Sequence, residues 1–322
     1  MVKMSIIVTS YTSERMGDIQ DLLRSIRNQI EQDYELVYVT ERDVNLRNAV
    51  EREALTLGLP ARVIHNTGPP GLSEARNLGM ISASGDVLGF VDDDVLLDKG
   101  WTKAVVGAFQ RHPDTVGLTG PAYPLWVGTP IEWFPREFDW LIGCTRWFEA
   151  HSPIRVSNCW GMNMAFRRRD LLDIGGFSAT SLEKSRYLRP GSGFHSDSAF
   201  KHGEMAEDVD VSLRILQASK GSLFYIPEMK VFNKVYPYRL SKHYIIARSS
   251  WVGYSRRNAS RTGRSRNFAT RPEDGLLVRV IRTIVNPTKN TPVSLASLKK
   301  TYGMMALSLW CVLVGYFLGP LD

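Results

Sequence analysis

The first 97 residues alternate two hydrophobic periods. Met4 to Ser10, Tyr34 to Val39, Ala61 to His65 and Val87 to Val91 are short apolar runs bounded by polar or turn-forming residues, the pattern of buried strands. Between them the apolar positions recur every three or four residues. Ile19, Leu22, Leu23, Ile26 and Ile30 mark a helix over 18–30, and further helices are expected over 45–57 and 72–82. Strand–helix alternation of this kind predicts a parallel, doubly wound α/β sheet. The pattern then loosens. Residues 121–160 are rich in aromatics (Tyr123, Trp126, Trp133, Phe134, Phe138, Trp140, Trp147, Phe148, Trp160), and 186–203 is a Gly/Ser-rich stretch that reads as a lid, with His195 and His202 as loop histidines. Tyr302 to Leu321 is apolar and carries no charge. At ~1.5 Å per residue it is just long enough to cross a bilayer, or to dock as an anchoring helix.

Charge divides the chain. Residues 229–322 hold 16 Lys or Arg against Glu273, Asp274 and Asp322, or +13, which leaves −6 of the net +7 on the first 228 residues. An acidic body with a basic tail points to an anionic surface as the tail's partner. Six arginines lie between Ser255 and Arg271, and Leu276–Val285 is apolar but interrupted by Arg279 and Arg282, the composition of an interfacial segment. No nucleic-acid motif accompanies these charges. Lys299 and Lys300 precede the apolar segment and put the body on the cytoplasmic face of the cell membrane. Three cysteines (Cys144, Cys159, Cys311) offer no disulfide framework or metal spacing, and Met1–Val8 runs straight into strand-like sequence, so a reducing compartment and no signal peptide are expected.

The chemistry gathers at strand ends. Val87–Val91 runs into Asp92-Asp93-Asp94. Three adjacent carboxylates repel one another, and a divalent cation relieves that cost; Mg²⁺ or Mn²⁺ takes one or two carboxylates together with substrate phosphates. The same triplet also reads as a solvated acidic turn. Arg76, in a helix that starts after Pro69-Pro70-Gly71, could neutralise a phosphate or pair with the triplet. Glu207-Asp208 opens another helical run, where acids are favoured on electrostatic grounds alone.

In order, the motifs Ser5–Tyr11, an acid after the second strand, Ala75-Arg76-Asn77-Leu78-Gly79, Phe90–Asp94, Gly161–Asp170 with Gly175-Gly176-Phe177, and Ala206–Arg214 resemble those of family 2 glycosyltransferases with the GT-A fold, over residues 4–233. Pro130–Thr145 is similar to a segment of archaeal enzymes that extend dolichyl-phosphate-linked sugars in N-glycosylation, glucuronosyltransferases among them.

The resemblance implies a mixed α/β sheet with helices on both faces, a donor half over 1–120 and an acceptor half over 121–233; charge and hydropathy add a basic membrane-interface region over 234–301 and a transmembrane or membrane-anchoring helix over 302–321. It implies that Ser10, Tyr11, Glu41 (with Asp43 as fallback), Arg76, Asn77, Asp92 and Asp93 bind a UDP-sugar donor. Asp94 and Asp92 hold Mn²⁺ or Mg²⁺. Asp208 is the general base, tuned by Glu207, and Trp160 and Asn163 face a lipid-linked saccharide acceptor. Many relatives carry a His near Asn233, where this chain offers only an amide. Transfer to polyprenyl phosphate or polysaccharide, nucleotidyl transfer, and a non-catalytic lipid-binding scaffold are the competing readings; oligomeric state is left open.

Overall fold

The structure is a computed structural model that describes residues 3–30, 33–129, 131, 134–178, 207–261, 295–319 and 321. The expected lid over 186–203 and the Leu276–Val285 segment lie outside the described residues.

The alternating patterns become β1 (Met4–Ser10), α1 (Met16–Arg27), β2 (Tyr34–Glu41), α2 (Val44–Thr56), β3 (Ala61–Asn66), α3 (Leu72–Ser82) and β4 (Val87–Val91). Strands β3, β2, β1 and β4 lie side by side and pair in parallel. β4 is buried along its whole length, which is why it reads as a continuous apolar run rather than an alternating one. At Gly89 a Cβ would come within 2.6 Å of the Trp101 ring and 2.7 Å of Met4 Cε, so the indole can lie against the strand backbone only because the side chain is a hydrogen. Helix α1 ends at Arg27, and Ile30, expected on its inner face, is 64% exposed.

Past β4 the sheet stops being purely parallel. β5 (Val95–Leu97), α4 (Trp101–Arg111), β6 (Thr115–Thr119), β7 (Ala122–Trp126), β8 (Ile154–Val156), β9 (Asn163–Arg167), α5 (Arg168–Asp173), α6 (Glu207–Ala218), β10 (Ser222–Tyr225) and β11 (Val231–Val235) follow. β9 runs antiparallel between β4 and β6, and the eight-stranded sheet has the order β3-β2-β1-β4-β9-β6-β10-β8. A separate three-stranded sheet, β5-β11-β7, stands beside it. One apolar cluster fills the face under α1, α2 and α4, and a second lies between the sheet and α3, α5 and α6. The tail supplies two long helices, α7 (Lys242–Arg261) and α8 (Leu295–Leu318), packed on each other. Met304 and Met305 of α8 join Phe138, Ile142 and Val235 in a third cluster on the body.

Candidate active site

Arg76 is the hub of the site. It is buried on α3, and its guanidinium reaches three elements far apart in sequence. Nη2 lies 3.1 Å from Asp92 Oδ1, at the end of β4, and donates to the Gly161 carbonyl at 3.1 Å. Nη1 lies 3.0 Å from Glu207 Oε1, at the start of α6. Burial alone would disfavour its charge, but Glu207, Asp92 and Asp208 hold it protonated. The ring of Phe177 lies 5.5 Å from the guanidinium carbon.

Asp208 is fixed by backbone. Gly161 N donates to its Oδ2 at 2.9 Å and Val209 N to its Oδ1 at 2.8 Å, while its own carbonyl accepts from Ser212 Oγ. Its carboxyl is pushed up to about 6, by burial first and by the Glu207 charge second, against the pull of the Gly161 N–H and Arg76. The Asp92 carboxyl is also pushed up to about 6, by its desolvation among neighbouring groups first, with Arg76 opposing and Asp94, Asp93 and Glu207 adding to it. The two acidic motifs, more than a hundred residues apart, therefore border one cleft and share one arginine.

The other two triplet carboxylates are held by arginines other than Arg76. Asp93 accepts from Ser10 Oγ at 2.7 Å and from Arg15 Nη1 at 3.0 Å; Ser10 Oγ is also 2.6 Å from the Tyr38 hydroxyl. Asp94 Oδ2 lies 2.8 Å from Arg239 Nη2 and 3.3 Å from Arg15 Nη1. Arg15 and Arg239 were not singled out from the sequence. Arg15 follows the first strand without any motif of its own, and Arg239 is one of many cations in a tail whose charge reads as lipid-directed.

Several residues expected to touch substrates also make contacts within the fold. Glu41 ends β2 as expected, but its buried Oε1 accepts from Asn66 Nδ2 at 2.8 Å and Gly71 N at 3.0 Å, which ties down the entry to α3. Asp43 caps α2 through Asn45 N. Asn77 clasps the backbone of Phe177, with both N–H···O contacts at 2.8 Å. Asn163 is wholly buried: its Oδ1 accepts from Trp101 Nε1 at 2.9 Å, and its Nδ2 donates to Met229 O at 2.7 Å and Pro121 O at 3.4 Å. Wholly buried, and bonded inside the protein through both its amide oxygen and its amide nitrogen, Asn163 ties β9 to Trp101 and Met229. Trp160, next to Gly161, is half-buried among Trp147, Phe148 and Tyr225, each ring 5.9 Å away. Tyr11 lies under the guanidinium of Arg42, 5.6 Å from its ring centre; Arg42 holds a φ of 63°, unusual for a residue with a side chain. Asn233 donates to Gly143 O at 2.8 Å, and its Oδ1 is buried without a partner.

A buried arginine bridging two acid-bearing elements, at the carboxyl ends of a sheet half parallel and half antiparallel, is the architecture of a GT-A glycosyltransferase. The profile of "Glycosyl transferase family 2" matches residues 5–175, more than half of the chain, and the chain belongs to that family. A glucosyl-dolichyl phosphate glucuronosyltransferase of Haloferax volcanii is 29% identical over 258 residues, 80% of this chain and 77% of the relative. An uncharacterized glycosyltransferase of Haemophilus influenzae is 29% identical over 195 residues, 58% of this chain and 60% of its own. Among solved structures, the Pyrobaculum calidifontis mannosyltransferase PcManGT, in complex with GDP-Man and Mn²⁺, superposes with a TM-score of 0.57 at 17% identity, covering 99% of this chain and 85% of its own. S. aureus TarS residues 1–349 give 0.51 at 14% identity, covering 98% and 90%. At these identities the structures speak for the fold alone.

Proposed function

We propose that this glycosyltransferase moves a sugar, glucuronic acid as the sharpest reading, from a UDP-sugar to a dolichyl- or polyprenyl-phosphate-linked saccharide at the cytoplasmic face of the membrane, with inversion and with a divalent metal. The observation that carries the reading is the Asp92–Arg76–Glu207 bridge beside Asp208. The Haloferax relative supplies the donor sugar and the lipid carrier.

Among the described residues no three His, Cys, Asp or Glu side chains are grouped to hold a cation, so a divalent ion here would be shared between one or two carboxylates and the donor's diphosphate. Asp92, Asp93, Asp94, Glu207 and Asp208 carry five potential negative charges against Arg15, Arg76 and Arg239; burial first, and neighbouring carboxylates after it, raise the proton affinity of Asp92, Asp93 and Asp208. Asp92 and Asp94 would hold Mn²⁺ or Mg²⁺. The buried, unpartnered Asn233 Oδ1 sits on β11, where Asn233 pairs with Val95, the residue after Asp94. When bound, the metal supplies charge stabilisation for the departing diphosphate.

The chain's own groups do the rest. The raised Asp208 carboxyl takes the proton of the acceptor hydroxyl as it attacks the anomeric carbon; a base poised near 6 is ionised at neutral pH and still basic enough to accept a proton. Glu207 acts through Arg76, which keeps Asp92 in place and lends positive charge to the donor side. Tyr11 and Arg42 flank the base at the ends of β1 and β2, and Ser10 and Asp93 brace that floor. Residues 1–120 form the donor half and 121–233 the acceptor half, with Trp160 as the aromatic platform.

The test is a donor panel read by nucleoside-diphosphate release, with and without lipid-linked saccharide, followed by NMR of the product's anomeric centre. UDP-glucuronate is expected to give the highest turnover and an inverted product. Asp208→Asn is expected to lower kcat by ~10²–10⁴-fold, and Asp94→Ala or chelation by EDTA to abolish transfer. Full activity in either variant would overturn the assignments.

A further inference from the structure

The two tail helices leave the body in the same direction. Ser249 Oγ and Ser308 Oγ are 2.8 Å apart, and Arg257 Nη1 donates to the Phe317 carbonyl at 3.1 Å, so residue numbers rise together along the pair. Between those contacts the backbones touch. A Cβ on Gly253 would strike the Val312 carbonyl, and one on Gly315 the Ser250 carbonyl. Ser249, Ser250 and Ser308 are fully buried in the seam. Such small-residue packing makes α7 and α8 one unit, and any account of α8 in a membrane has to place α7 with it.

Crossing fails on two counts. If the pair spanned the bilayer, α7 would deliver the chain to the far side, and residues 262–294 would have to bring it back for α8 to start at the body. That return stretch of 33 residues holds six Lys or Arg, and its most apolar part, Leu276–Val285, is ten residues long and includes Arg279 and Arg282. Ten helical residues reach ~15 Å, half of the ~30 Å hydrocarbon core. Second, Arg248, half-buried with its guanidinium 5.3 Å from the centre of the Trp251 ring, precedes Ser249, whose partner Ser308 lies a turn beyond Met304 and Met305 at the body. A spanning pair would carry that charge, and those of Arg256 and Arg257 further along α7, into or across the bilayer, which is unfavourable.

Lying flat fits both helices. On α8, Trp310, Leu313 and Phe317 fall on the side opposite Ser308, Cys311 and Gly315, at 3.6 residues per turn. Trp310 and Phe317 are each about two-thirds exposed and Leu318 is 83% exposed, while Cys311 and Ser308 are buried against α7. The exposed stripe is apolar and bordered by basic residues: Lys299 and Lys300 at its start, Arg256 and Arg257 at the level of its end. An apolar face rimmed with cations matches the headgroup boundary of an anionic bilayer.

Resting on the membrane location proposed above, we infer that α7 and α8 form a monotopic clamp: α8 lies in the plane of one leaflet through Trp310, Leu313 and Phe317, and neither helix crosses. The catalytic cleft is thereby held beside the surface from which a lipid-linked acceptor projects.

The experiment places a cysteine at exposed Arg256 (R256C) in the full chain, with the unaltered chain as control because its cysteines at 144, 159 and 311 are buried. Cells expressing each protein are converted to spheroplasts and to inverted membrane vesicles and treated with a membrane-impermeant maleimide. Labelling in inverted vesicles alone supports the clamp. Labelling in spheroplasts means that the α7 end has crossed, and overturns it. In parallel, purified protein is floated with phosphatidylglycerol/phosphatidylcholine vesicles. The unaltered chain is expected in the floating fraction, and a W310E/F317E variant is expected to lose ~10-fold or more of that binding. Failure of the unaltered chain to float would sink the membrane location itself, while leaving the sugar-transfer reading to its own assay.

Discussion

Asp208 is held above the ordinary carboxylate range by burial and by its neighbour Glu207. It therefore binds its proton more tightly folded than unfolded. Its contribution to stability is full below about pH 4, where both states are protonated, and is lost as the pH rises through about 6. Asp208→Asn removes that titration, so its melting temperature is expected to vary less between pH 4 and 7 than that of the parent protein, as differential scanning calorimetry across that range would show. In the parent enzyme kcat/KM is expected to rise through pH 6 as the base ionises. Asn163 makes the opposite kind of prediction. Asn163→Ala strands the Trp101 N–H and the Met229 carbonyl in the interior, and each orphaned group costs about 1–3 kcal/mol. Urea denaturation is expected to report that loss, with an unchanged KM for the acceptor. A raised KM at wild-type stability would restore Asn163 to the acceptor site. From the sequence, Asn163 and Glu41 look like substrate ligands because a polar side chain at a strand end is chemically free until packing commits it. Here Trp101 and Gly71 claim them, and those partners lie 62 and 30 residues away.

At the scale of elements, the first half was legible because each strand and helix carries its own period. β1 to β4 and the helices between them match their apolar runs to within a few residues; Asp92, Glu207 and Asp208 sit at element ends, and Arg76 lies inside α3. The antiparallel β9 and the β5-β11-β7 sheet were not legible. Asn163–Arg167 and Val231–Val235 are five-residue strands whose partners are chosen by the tertiary fold rather than by any local period. Arg15 and Arg239 stayed hidden for a related reason: salt bridges spanning 79 and 145 positions leave no trace in spacing. β4 offers a direct check on this packing. Gly89→Ala would drive a methyl into the Trp101 indole, and overpacking of this kind costs about 1–3 kcal/mol. The denaturation midpoint is expected to fall, with the slope of the transition retained.

Across the whole molecule, charge and hydrophobicity are segregated in the same direction. The basic tail is fused to an acidic body, and the pair of tail helices displays an apolar stripe bordered by that basic charge. Binding to anionic vesicles is expected to weaken several-fold between ~50 mM and ~500 mM NaCl as the Debye length shortens from over 10 Å to a few ångströms, while binding to the W310E/F317E variant stays low at both. Co-sedimentation at the two salt concentrations tests it. The strand β9 bears on how such an enzyme breathes. Because it is stitched antiparallel between β4 and β6, the two sides of the sheet share a continuous ladder of peptide hydrogen bonds. Hinge opening between β4 and β6 would have to break that ladder, so the two sides of the sheet are expected to move as one body.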